Sequence, residues 1–166
     1  MFGLLQSCEQ IREMRGHKKF IQGLRFSPSG AVLASVDSEP KGLRLWVPET
    51  GGLAYQLDAY GVAVEFTPDG AQVAVAPGYC HKSETDVQLW DVETGKLART
   101  VRGAIKAESL AFSADGRHLA ICSSLPGLAE LWDLESETCV QRLDPGYTSL
   151  DDLAFVDDDR SIALVG

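Results

Sequence analysis

Cys80 and His81 stand side by side in the segment Pro77 to Thr85, PGYCHKSET, a pairing that invites nucleophilic or metal chemistry. Zinc needs about four such ligands, and a nucleophilic cysteine needs a positioned base and oxyanion donors. Neither requirement is met. His118 falls next to Leu119 on the opposite side of a predicted strand. The four cysteines, Cys8, Cys80, Cys122 and Cys139, form no C-x-x-C pair, so they read as ordinary reduced thiols. Asp157, Asp158 and Asp159 have the look of a calcium loop, but no central glycine and terminal glutamate follow them, and a solvated hairpin turn accounts for them better. No G-x-S-x-G, H-E-x-x-H, G-x-x-x-x-G-K or G-x-G-x-x-G occurs. The sequence therefore offers no catalytic, cofactor or metal residues, and an enzyme is not expected.

Composition narrows the classes further. The 166 residues carry a formal charge of −9, with 45% hydrophobic and 23% charged residues, as in a globular domain with a substantial core. Phosphate binding requires clustered Lys and Arg, whereas here Lys18 and Lys19 are the only adjacent basic pair, so nucleic acid is not an expected partner. Apolar runs are broken every few residues by charge, Pro or Gly, far short of the roughly 20 residues of a spanning helix. The N-terminal MFGLLQSCEQ lacks a basic region and an A-x-A site, which makes a poor signal peptide. No membrane association is expected, and a cytoplasmic address is the default.

The elements that position any site are written as repeats. DVQLWDVETG from Asp86 recurs as GLRLWVPETG from Gly42 and LAELWDLESE from Leu128. Each is an alternating strand ending in Leu-Trp and running into a turn. Leu53, Leu97 and Cys139 follow the three Trp residues at one constant offset, and Leu57, Val101 and Leu143 at another, with Met14 filling the latter role at the start. Cys139 accordingly reads as a small core hydrophobe. A second constant is the gapless set FSPSGAVLA from Phe26, FTPDGAQVA from Phe66, FSADGRHLA from Phe112 and FVDDDRSIA from Phe155. These are four β-hairpins with tight Pro/Asp/Gly turns. The unit is four strands, a to d, repeated at about 42 to 44 residues. In the second unit they are expected near 61–66, 71–76, 86–91 and 97–102.

These residues resemble the WD-repeat β-propeller family over nearly the whole chain. The Trp-Asp dipeptide is intact at Trp90-Asp91 and Trp132-Asp133 and altered at Trp46-Val47, while Gly-His survives once, as Gly16-His17. The resemblance implies an all-β propeller arc of four-stranded antiparallel blades, with Trp46, Trp90, Asp91, Trp132 and Asp133 in structural roles. It also implies one partial domain over 1–166. A lone d strand lies at about 8–15, and complete blades at about 20–58, 61–102 and 107–143. A fourth blade, at about 150–166, has only strands a and b, so the ring is unfinished. In the family an Asp six positions before the Trp bonds the Gly-His histidine. Those places hold Pro40, Glu84 and Pro126, so this network is expected to be degenerate in all three complete blades, with Asp37 or Ser35 as the alternative partner of His17.

The d–a and b–c loops of such a propeller share one face, usually the binding face. The expected function is a non-catalytic scaffold for a protein or peptide partner, and the alternative is a regulatory or sensor segment of a larger protein. Candidate contact residues on these loops are His17, Lys18, Asp37, Tyr60, Tyr79, His81, Lys82 and Tyr147. The longest loop draws three of them: Phe66 to Trp90 spans 24 positions where the neighbouring units span 20. An open arc leaves apolar blade faces uncovered, which invites self-association of the two ends.

Overall fold

The computed structural model describes residues 12–77 and 86–166. Each hydrophobic repeat becomes one antiparallel sheet. β1 (Ile21–Phe26), β2 (Leu33–Asp37), β3 (Leu43–Val47) and β4 (Gly52–Leu57) form blade 1 in that order. β5 (Ala63–Phe66), β6 (Gln72–Ala76), β7 (Val87–Asp91) and β8 (Leu97–Val101) form blade 2. Blade 3 is β9 (Ser109–Phe112), β10 (His118–Ser124), β11 (Gly127–Asp133) and β12 (Thr138–Leu143), and β13 (Asp152–Val156) pairs with β14 (Ser161–Val165) as half of a fourth. Described residues contain no helix. The expected all-β arc of four-stranded blades is what the chain builds.

The innermost strands β1, β5, β9 and β13 lie side by side, and each blade packs on the next. Ala34, Val36, Leu43, Leu45 and Leu57 of blade 1 cover Val64 and Phe66 of blade 2. One repeat further, Ala74, Ala76, Val87 and Leu89 meet Leu110, Leu119 and Ile121, and Ala120, Cys122 and Ala129 meet Leu153 and Phe155. Leu24 and Phe26, the blade 1 equivalents of Val64 and Phe66, have no such cover and are 48% and 59% exposed. Burial of a large apolar side chain contributes about 1.5–3 kcal/mol, so this face forgoes what each later blade gains.

The a–b turns show how the sequence closes each hairpin. A Ser or Thr at the end of strand a accepts the backbone N–H five residues on, from Val32 to Ser27, Gln72 to Thr67 and His118 to Ser113. In blades 2 and 3 the same hydroxyl donates to Asp69 or Asp115 at 2.6 Å. Successive turns stack: Pro28 lies against Gly70, and Pro68 against Gly116. Blade 3 has Ala114 where the earlier turns have proline, and its freed N–H is taken by Asp159 Oδ2 at 2.6 Å. Asp159 stands in the glycine position of blade 4 with φ of 64°, in a turn where Asp157 and Asp158 are also left-handed. Asp and Asn tolerate that region better than other non-glycine residues, and the hydrogen bond offsets the remaining cost.

On the same side of the disc the outer strands latch across blades. Tyr55 Oη on β4 donates to the Glu93 carbonyl of the next c–d turn at 2.6 Å, and Arg99 on β8, the residue equivalent to Tyr55, donates to Leu134 O. Arg12 makes the corresponding bond to Glu49 O at 2.9 Å. The lone d strand expected at about 8–15 lies outside the described residues as far as residue 11; residues 12–17 are not in a sheet, yet Arg12 makes the contact that strand d makes elsewhere. Gly95 is left-handed at φ 67° under the Tyr55 ring, where a Cβ would lie 2.6 Å from a ring carbon. Gly95→Ala is expected to cost roughly 2 kcal/mol, measured as a lower urea midpoint with an unchanged slope.

Cys139 does not enter the core. It is exposed, as are Leu53 and Leu97 at about half of their surface. All three face the Trp of their own blade across a register shift on the outermost strand, which pairs on one side only among the described residues.

Candidate interaction face

The d–a and b–c loops meet on one side of the arc. Gly61 N donates to Asp37 O and Leu43 N to Ala59 O, tying the second d–a loop to the first b–c loop. Lys19 of the first d–a loop pairs with Glu39 of the same b–c loop at 3.5 Å. In blade 3 the β10–β11 turn, which contains a cis Leu125–Pro126 bond, abuts the Tyr147 carbonyl through Gly127.

Beneath this face each Trp finds a partner for its indole N–H, and each blade solves the problem differently. In blade 1, Trp46 Nε1 donates to Ser35 Oγ at 2.8 Å. Ser35 Oγ lies 2.5 Å from His17 Nε2, and His17 Nδ1 lies 2.6 Å from Asp37 Oδ2. Arg44 Nη1 lies 2.5 Å from the same Nδ1; since a carboxylate only accepts and a guanidinium only donates, either tautomer of the ring finds a partner at both nitrogens. Arg44, buried beside them, places Nη1 3.5 Å from Asp37 Oδ2 and matches its charge. The network expected to be degenerate is complete here. Asp37 reaches His17 from the end of strand b, so no acidic residue is needed at Pro40.

Ser35 becomes Val75 and Ile121 in the next two blades, and the residue two before the Trp takes over. Trp90 Nε1 donates to Gln88 Oε1 at 3.3 Å. Trp132 Nε1 donates to Glu130 Oε2 at 2.9 Å, and that oxygen also accepts Ile105 N–H at 3.1 Å. Arg142 closes on the other Glu130 oxygen through Nε at 2.9 Å and through Nη2. The position that holds Arg44, Gln88 and Glu130 was legible in the repeat alignment as the polar residue inside an apolar strand, but it drew no reading.

The Trp-Asp aspartates cap the c–d turns. Asp91 Oδ1 accepts the N–H and hydroxyl of Thr94, each at 2.7 Å. Asp133 Oδ1 accepts Glu135 N and Ser136 N at 2.9 Å, and Oδ2 takes Arg117 Nε at 3.0 Å. The Ser136 bond, aided by Arg117 and opposed by desolvation, holds the Asp133 carboxyl at about 2, down from the ordinary 3.8. Thr94 lowers Asp91, Thr67 lowers Asp69 and Ser113 lowers Asp115. A carboxyl depressed on folding stabilises above its unfolded value and loses that contribution as pH falls through its folded value. The urea midpoint is therefore expected to be insensitive to these groups down to about pH 5 and to fall steeply between about pH 4 and 2. Asp133→Asn should flatten the lower part of that fall, and a midpoint that rises on acidification would contradict the assignment.

The candidate contact residues are not equivalent. His17 and Asp37 have side chains only 7% and 1% exposed and are spent inside blade 1, which corrects their assignment as surface contacts. Lys18 and Tyr147 are exposed and Tyr60 half-buried on the loop face. Tyr79, His81 and Lys82 lie outside the described residues. Phe20 and Leu125, 88% and 66% exposed, belong to the same loops and went unread because isolated apolar residues in a loop carry no periodic signal. Glu108, in the third d–a loop, has its carboxyl raised, chiefly by burial and further by Asp151, against a lowering hydrogen bond from Ser124. No group of three or more His, Cys, Asp or Glu among the described residues could hold a metal ion, and none contains a helix long and apolar enough to cross a membrane.

Four-stranded blades whose Trp-bearing c strands recur at constant spacing, joined by loops gathered on one face, define a WD-repeat β-propeller segment. Its blades have the WD-repeat fold, and residues 8–46 match the family model described as WD domain, G-beta repeat. The chain is 26% identical over 150 residues to the small ribosomal subunit protein RACK1 of Glycine max, covering 87% of this chain and 41% of that protein. It is 30% identical over 135 residues to the nuclear distribution protein PAC1 of Arthroderma otae, covering 76% of this chain and 29% of that one. Similarity to the centriole proteome protein 16 of Chlamydomonas reinhardtii is 36% over 116 residues, 68% of this chain and 5% of that protein. The chain spans about two fifths or less of the length of these curated relatives.

Proposed function

We propose that the chain is a non-catalytic interaction module that presents the d–a and b–c loop face to a protein or peptide. The observation that carries this reading is the exposure of Phe20, Leu125 and Tyr147 on loops anchored by rigid sheets. Held this way, the loops lose little ordering entropy on binding, and aromatic anchors of this kind dominate interfaces. Lys18, Tyr60, Tyr79, His81 and Lys82 extend the proposed contact set. Reduced thiols suit a cytoplasmic setting. The test is capture of proteins on the immobilised chain, with quantitative binding of whatever is retained. Phe20→Ala and Tyr147→Ala are each expected to weaken that binding about tenfold, and binding unchanged by both together with Tyr79→Ala and His81→Ala would remove the face.

The low share of each relative that is matched favours a second reading, a regulatory segment within a longer protein, which the full reading frame decides. The open apolar face at Ile21, Leu24 and Phe26 supports self-association of the arc. Light scattering that gives a monomer mass at every concentration would exclude it.

A further inference from the structure

Blade 2 lacks the side chains that fill the space under the loop face in its neighbours. In blade 1 the imidazole of His17 and the guanidinium of Arg44 occupy it, matched to Asp37. In blade 3 the Arg142 guanidinium meets buried Glu130. The blade 2 equivalents of His17, Ser35, Asp37 and Arg44 are Tyr60, Val75, Pro77 and Gln88, and that of Arg142 is Thr100, so none of these positions among the described residues supplies a cation. What stands in its place is a cavity of about 230 Å³ lined by Asp58, Tyr60, Val75, Pro77, Asp86 and Gln88.

We infer that this cavity receives an arginine side chain from a protein or peptide partner, an inference that rests on the interaction-module reading and deepens it. Val75 and Pro77 form an apolar wall against which the methylenes of a long basic side chain can lie. Asp58 and Asp86 bring carboxylates, and Gly103 N–H fixes the Asp86 carboxylate by a 3.0 Å bond to Oδ1. A planar guanidinium engages two acceptors at once where an ammonium acts as a point charge. The two flanking blades show the same chemistry satisfied internally, an arginine set against a carboxylate. The chain's net charge of −9 steers basic partners towards it.

The probe is N-acetyl-arginine methylamide, titrated into the ¹⁵N-labelled full chain, with N-acetyl-norleucine methylamide as the uncharged control. Saturable shifts are expected at the Trp90 indole and at the Ala59 and Val75 amides with the arginine compound only. Asp58→Asn and Asp86→Asn keep an acceptor oxygen and are each expected to weaken binding about three- to fivefold. Gln88→Arg, which places a guanidinium where Arg44 sits in blade 1, is expected to abolish it. Equal shifts with norleucine, no shift in blade 2, or unchanged affinity in both Asn variants would each overturn the inference. If blade 2 ignores arginine while captured partners are still lost on Phe20→Ala and Tyr147→Ala, the pocket falls and the interaction reading stands. Arginine bound in blade 2 with no capture sensitive to the face does the reverse.

Discussion

Asp37→Ala is expected to destabilise the protein by about 3–5 kcal/mol, because it leaves Arg44 buried without a counter-charge. The two side chains are 8% and 1% exposed, so water cannot solvate the orphaned guanidinium without opening the blade. His17 loses one of its ring partners at the same time, and a buried polar group left unsatisfied costs about 1–3 kcal/mol by itself. Against a total of roughly 5–15 kcal/mol for a single domain, this is a fall in Tm on the order of 10 °C. Two companions separate the causes. Asp37→Asn keeps an acceptor for the imidazole and removes only the charge match, so it should cost less than the alanine. Asp37→Ala with Arg44→Leu removes both charges and should regain part of the loss, since the two residues touch and their effects do not add. Urea unfolding of the three variants measures this, and an Asp37→Ala midpoint within about 1 kcal/mol of the parent would show that the network contributes little.

Those residues also mark where reading the sequence worked and where it stopped. Period-2 alternation and fixed offsets are local signals, and they located the blades because the inner strands of each repeat bury the same positions: Val64 and Val73 in one blade, Leu110 and Leu119 in the next. For His17 the spacing rule along the chain pointed to a degenerate network, while the alternative partners Asp37 or Ser35 are the contacts actually made, across the sheet. Asp37 closes β2, two residues beyond Ser35, so both lie on one face of the strand and meet His17 together. The latch from Tyr55 and Arg99 was illegible for a different reason. Its acceptors are the backbone carbonyls of Glu93 and Leu134, and a carbonyl carries no side-chain identity for a pattern to record. Cys139 shows the limit of position-by-position analogy: it shares its place with Leu53 and Leu97, but an apolar residue on an outermost strand is not thereby buried.

The loop face divides in the same way. Lys18, Tyr60 and Tyr147 were reachable from loop position and residue type, whereas His17, with the same credentials, turned inward because its blade has a hydroxyl at the Ser35 position of strand b, where the next two blades carry Val75 and Ile121. A histidine in a d–a loop is a surface group or a structural one according to what strand b offers beneath it. That dependence is why the three blades, similar in sequence, differ under the loops: one is filled by His17, one by the Glu130 and Arg142 pair, and one holds a cavity.

Glu130→Ala is the matching test in blade 3, with an expected cost of about 3–5 kcal/mol for a different combination of reasons. Glu130 is the hub: one oxygen accepts both the Trp132 indole and the Ile105 amide, and the other faces Arg142. Its side chain is fully buried, but that of Arg142 is 60% exposed, so Arg142 can return to water and the charge pair itself contributes modestly. The larger part of the loss comes from two buried N–H donors left without acceptors, at about 1–3 kcal/mol each, together with the cavity left by the side chain. Glu130→Gln keeps an acceptor oxygen for both donors and is expected to recover more than half of the loss, whereas Arg142→Ala should cost more than an exposed ion pair because it strands the Glu130 carboxylate. The decisive comparison is the rank order by urea midpoint: parent above Gln, and Gln above Ala. Gln as damaging as Ala would mean that charge, not hydrogen-bond satisfaction, holds this blade together, and the account of how each blade accommodates its Trp would have to change.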